Sequence, residues 1–150
     1  MTTAPFANLP DPETQAGFYE DVPAKRLLAF FIDLLIIAIL SIGVCVLTFG
    51  IGFFLFFLVL AIVGFFYRVL TLAGGSATWG MRILAIELRR HDGAKFTTAD
   101  AVIHTIAFYI SFGIIPLQLL SAILMLTSAR GQGLTDMLFG TVVLNRKAKS

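Results

Sequence analysis

Asp33 is the residue best placed in this sequence to do chemistry. It lies inside an apolar run that begins at Leu27 and continues to Phe49, with Arg26 at its mouth. A carboxylate at that depth costs ~2.5–3.5 kcal/mol on insertion scales, so it persists only where it faces protein or water. Two roles fit such a group. It can bind or relay a cation or proton, or it can lock helix register through an ion pair. Arg26 and Asp33 are seven residues apart, two turns of helix, and so share a face. Their axial gap of ~10 Å is too wide for direct contact, and an arginine at a helix start snorkels outward. Asp33 therefore needs another partner. Arg68 lies about one turn inside the far end of the next apolar segment, and side chains lean toward a helix's N-terminus. That geometry predicts an Asp33–Arg68 ion pair. An arginine partner would hold the carboxylate ionised and make it a poor proton carrier. His104, inside the last apolar stretch, reads as a packing histidine or, less simply, as a relay.

The elements that must carry these groups follow from composition. The chain has 150 residues, 58% hydrophobic and 13% charged, against ~25% charged in soluble domains. The apolar residues come in long runs, which is the membrane signature. The fold class expected is all-α integral membrane: a transmembrane helical hairpin plus a second bent or re-entrant helical hairpin, with a short surface strand pair. Helix one is expected over 23–47 and helix two over 52–72, joined by the uncharged turn Thr48–Gly52. Proline at position 23 suits a first helical turn, where its missing N–H costs nothing. Lys25 and Arg26 flank the hairpin's start, and Arg68, Arg82, Arg89, Arg90 and Lys95 follow its end. The positive-inside rule puts both ends in the cytoplasm.

Trp79 is the only tryptophan and sits where an interfacial anchor is expected. Ile83–Leu88 is strand-like, Asp92-Gly93 is a turn signal, and Thr97 with Asp100 caps the next helix. From Ala101 to Thr127 there is no charge. As one helix this stretch would reach ~40 Å, longer than a ~30 Å hydrocarbon core, and it contains Gly113 and Pro116. A pair of helices meeting near 112–116 returns the chain to the cytoplasm and lets Thr141–Leu144 pair with the strand near 83–88. Residues 1–20, with three prolines and no periodicity, read as a mobile N-terminal tail without a signal peptide. Residues 147–150 read as a basic C-terminal tail.

Three features line up along the chain: arginine opening helix one, aspartate seven residues on, and Gly133-Leu-Thr-Asp136-Met-Leu-Phe-Gly140-Thr-Val-Val near the end. Together they resemble the RDD family of membrane proteins, named for one arginine and two aspartates. Arg26 and Asp33 match the first two positions, and Asp136 falls in a stretch similar to the family's closing Asp-x-Leu-x-Gly-Thr motif. The segment from Gly75 through Gly80, Met81 and Arg82 to Leu88 resembles the family's middle stretch, with Met81 where lysine is usual and Trp79 where proline is common. The resemblance makes residues 21–146 one RDD-like membrane domain. It implies an activity that is largely undefined in the family, with transport, including sodium/proton antiport, proposed for some members. With Arg68 assigned to Asp33, Arg26 is left for Asp136 at the cytoplasmic surface.

No nucleophile stands in a recognisable frame, no glycine loop cradles phosphate, and no histidine cluster gathers for metal. The chain is therefore expected not to be an enzyme, and to carry no cofactor and no metal. Cys45 alone forms no internal disulfide and reads as a small apolar filler. A formal charge of +2 with no basic patch gives no case for nucleic acid. The expected surroundings are the lipid bilayer, in a plasma membrane of bacterial inner-membrane type. A multi-pass chain with a cytoplasmic N-terminus is expected to assemble as a homo-oligomer or in a larger membrane complex. Two functions stay open: a transport-related protein for an ion or small solute, and a structural or accessory subunit with Arg26, Asp33 and Asp136 as a fold lock. Arg68, Arg82, Gly80, Gly140 and His104 are the supporting positions.

Overall fold

The computed structural model describes residues 6–146. Helix α1 (Val22–Leu47) and helix α2 (Phe56–Gly75) form the antiparallel hairpin. Both are long and apolar enough to cross a membrane. The turn between them uses Phe49 and Gly50 at φ 57° and 88°, and a 3-10 turn at Ile51–Leu55 leads into α2. Gly52 lies against the buried Cys45, so close that a Cβ there would stand 3.0 Å from the Cys45 Cα. Along α1 the buried residues are Val22, Ala29, Asp33, Ile37, Ser41 and Cys45, one seven-residue step followed by four-residue steps, which makes a single inward stripe. Asp33 sits in the middle of it. The other faces of α1 carry large apolar side chains open to the surroundings, among them Leu35, 63% exposed, and Leu47, 80% exposed, and α2 does the same with Phe57, 82% exposed. Such a surface is stable against lipid and not against water.

Ser76, in the left-handed region at φ 58°, ends α2. Thr78 then caps the short helix α3 (Trp79–Ile83), its hydroxyl accepting the Met81 N–H. Strand β1 (Ile86–Arg89) follows. The Asp92-Gly93 turn forms, with Gly93 at φ 84° and its N–H bonded to the Arg90 carbonyl. The chain beyond it adds no adjacent strand. It enters helix α4 (Thr98–Gly113) through a reciprocal cap between Thr97 and Asp100. Helix α5 (Ile115–Thr127), helix α6 (Leu134–Phe139) and strand β2 (Val142–Asn145) complete the described chain. Strands β1 and β2 pair antiparallel from Ile86 opposite Asn145 to Arg89 opposite Val142.

Helices α4 and α5 meet at a 114° bend. Pro116, in the first turn of α5, has no N–H to continue the α4 ladder, and the Ser111 hydroxyl bonds Gln118 across the elbow at 3.0 Å. At 1.5 Å per residue each arm is ~20–24 Å long, shorter than a ~30 Å hydrocarbon core. Because β1 precedes the pair and β2 follows it, their pairing holds both ends of the bent pair at the same end of the α1–α2 hairpin. The protein is thus an all-α membrane fold with one small antiparallel strand pair.

Residues 6–20 differ from the mobile tail expected of them. Leu9 and Tyr19 are buried with Val142 and Leu144, the Tyr19 hydroxyl bonds the Pro10 carbonyl at 2.7 Å, and the Asn145 amide reaches the carbonyls of Gly17 and Glu20. The segment docks through a few residues separated by turns, which leaves no periodic trace in the sequence. The rest of that expected tail, residues 1–5, and the basic tail at 147–150 lie outside the described residues.

Candidate functional site

Asp33, 5% exposed, is held by three neutral donors. The Tyr67 hydroxyl from α2 donates to Oδ1 at 2.6 Å, the Gly80 N–H from α3 donates to Oδ1 at 2.9 Å, and the Thr78 hydroxyl donates to Oδ2 at 2.6 Å. The first N–H groups of any helix lack internal partners, and α3 spends one of them on this carboxylate. Glycine at position 80 is required for the approach. A Cβ there would lie 2.5 Å from the Ala29 carbonyl oxygen and 2.8 Å from Asp33 Oδ1.

The expected Asp33–Arg68 ion pair does not form. Tyr67 and Arg68 are consecutive, so they point about 100° apart around α2, and the helix turns Tyr67 to Asp33. Arg68 instead lies over the Phe108 ring of α4, its Cζ 3.9 Å from the ring centre, and its Nε is buried without a hydrogen-bond partner. Tyr67 and Thr78 were not read from the sequence as site residues. The available signal was Thr78 two residues before Gly80 at a helix start, a position whose donors need an acceptor.

Asp136 on α6 is fully buried and collects four contacts. Arg26 Nη1 pairs with Oδ2 at 2.5 Å, the Gly133 N–H donates to Oδ2 at 3.1 Å, and the Thr141 hydroxyl donates to Oδ1 at 2.9 Å. His104 Nε2 stands 3.3 Å from Oδ1. Burial pushes the Asp136 carboxyl up, but the Arg26 charge and the His104 contact outweigh it and hold the group below the usual carboxylate range. Gly140 closes α6 at φ 69°, which turns Thr141 back onto Asp136. Thr141, like Tyr67, is a site residue that the sequence reading missed. His104 is 5% exposed, packs edge-on against Phe96 and leaves Nδ1 without a partner. Arg82 stands apart from this cluster; it bonds the carbonyls of Ala77 and Thr71 and so closes the end of α2.

The two carboxylates border one cavity of about 320 Å³ whose wall also includes Arg26, Arg68 and His104. A smaller one of about 110 Å³ lies toward Arg90 and Asp100, and His104 borders both. Glu87, which reads from the sequence as isolated, is paired with Arg89 at 2.5 Å and Arg146 at 3.8 Å. Among the described residues no three His, Cys, Asp or Glu side chains gather in a way that could hold a metal ion.

A hairpin of apolar helices, a bent helix pair and an arginine with two buried aspartates around one cavity define a small helical membrane protein. Residues 22–140 match the RDD family, and the chain belongs to it. No curated protein and no solved structure matches the chain.

Proposed function

We propose that this RDD protein is a transport-related, non-enzymatic membrane protein for a small solute, in which Arg26, Asp33 and Asp136 fix the walls of a binding cavity. The observation that carries this reading is the 320 Å³ cavity bordered by all three family positions together with Arg68 and His104. Ligand sites in proteins occupy ~300–1,000 Å³ and combine apolar walls with a few placed polar groups. The protein lies in a plasma membrane, and the positive-inside rule supports an orientation with its N-terminus, both ends of the bent pair and the strand pair in the cytoplasm. One hairpin and a bent pair leave little room for a continuous polar path, so the working unit is a homo-oligomer or a larger membrane complex. The test compares the solutes retained by cells lacking the protein with those of cells carrying the wild type or Ala122→Trp. Ala122 lies on the cavity wall, and a tryptophan there fills the cavity. A solute difference restored by the wild type and not by Ala122→Trp at equal abundance supports the proposal; equal restoration removes it.

A structural or accessory role is favoured by one specific observation: Asp33 already accepts three hydrogen bonds, and Asp136 accepts two beside its contacts with Arg26 and His104. Under that reading Asp33→Asn lowers abundance and any partner complex is lost in proportion. Under the transport reading, the same variant brought to equal abundance by stronger expression still shows a changed solute profile.

A further inference from the structure

The polar groups around the main cavity are not equally satisfied. Asp33 accepts three hydrogen bonds and Asp136 is enclosed by Arg26, Gly133, Thr141 and His104. Arg26 has Asp136 and the Gly131 carbonyl. Arg68 alone among these charges makes no hydrogen bond or ion pair among the described residues, and its Nε is buried without a partner. Its neighbour is a phenyl face, which attracts a cation weakly and accepts none of its fork of N–H donors in their plane. The side chain is only partly buried, but an Nε–H kept from water in this way is costly until an acceptor reaches it.

We propose that the cavity binds an organic oxyanion, a carboxylate or phosphate on a short apolar body, with Arg68 as its counter-ion. The inference rests on the solute-binding reading above and gives the solute its chemical class. A cation would meet two carboxylates already holding three and four partners, in a cavity whose wall also carries the Arg26 and Arg68 charges. An oxyanion displaces nothing and matches the planar guanidinium with two parallel hydrogen bonds. The apolar body follows from the remaining wall, where Phe30, Phe112, Met125 and Leu126 face the same space.

The test uses the full chain in a neutral detergent, with octanoate, octyl phosphate, octylammonium and octanol as probes and the thermal midpoint and direct titration as readouts. Octanoate and octyl phosphate are expected to raise the midpoint, and the ammonium and the alcohol to leave it unchanged. Arg68→Gln is expected to weaken octanoate binding about ten- to a hundredfold, while its ligand-free midpoint stays level or rises because a partly buried, unpaired charge has gone. Arg68→Lys, which keeps the charge and loses the fork, falls between. Equal binding of octylammonium or octanol overturns the anion assignment and leaves the cavity reading standing; binding of no probe overturns both. Undiminished octanoate binding in Arg68→Gln overturns the role of Arg68. Lipid nanodiscs then separate the sources of the anion. If phosphatidylglycerol, and not phosphatidylcholine, raises the midpoint through Arg68 and blocks octanoate, the ligand is a bilayer headgroup. If octanoate acts equally in both lipids, it is a free organic anion.

Discussion

Asp33 and Asp136 are both buried carboxylates, yet the chain holds them by different means. Asp33 has neutral donors only, so Tyr67→Phe removes one of three bonds and is expected to cost ~1.5–3 kcal/mol, the range for hydrogen bonds to a charged group. Asp136 faces a full positive charge. Asp136→Asn strands Arg26, a change worth ~3–5 kcal/mol where both partners are enclosed. The Arg26 side chain is 18% exposed and can turn toward water, which puts the cost near the lower end. Unfolding in detergent measures both. The Asp136 carboxyl lies below its usual range when folded, while the unfolded value is ~3.9. Its stabilisation is therefore complete above about pH 4 and is lost as the pH falls further toward the depressed folded value. The wild-type midpoint should fall across that acid window, and Asp136→Asn should lack this part of the fall. That Asp33 faces protein was legible from its depth in an apolar run. Its partners were not, because the rotation of α2 that chooses Tyr67 over Arg68 is set by packing that no single helix records.

At the level of elements, two glycines hold helices at close range with different tolerance. A Cβ at Gly80 meets the Ala29 backbone oxygen, whereas a Cβ at Gly133 meets the ends of the Met125 and Ser121 side chains, both at 2.5 Å. Side chains can move and a helix backbone cannot without shifting its neighbours. Gly80→Ala is thus expected to reduce abundance in membranes severely, and Gly133→Ala less so; a quantitative blot of membrane fractions decides it. The break near Pro116 and the pairing of the segments around 86 and 142 were readable from proline chemistry, length and alternation. The docking of residues 6–20 was not, since Leu9 and Tyr19 meet β2 through turns.

For the whole molecule, the sheet is the constraint that fixes topology. With β1 bonded to β2, the loops at Ala94 and Ala129 lie at one end of the α1–α2 hairpin, and Phe49, 97% exposed at the hairpin tip, lies at the opposite end. In a Cys45→Ala background, an impermeant thiol reagent applied to intact cells should label Phe49→Cys and spare Ala94→Cys and Ala129→Cys. Labelling of only one of the latter two would break the shared-side geometry. The partners of the three family residues also lie at unequal distances along the chain. Asp33 meets Thr78 and Gly80 within 47 residues, whereas Arg26 waits 110 residues for Asp136. Synthesis proceeds from the N-terminus, so the deep carboxylate can be satisfied soon after the first hairpin is inserted. The arginine, near the surface and able to snorkel, can remain hydrated until α6 leaves the ribosome. The order of the chain places the group that cannot wait close to its partners and the group that can wait far from its own, so that closure of Arg26 on Asp136 marks completed biosynthesis of the domain.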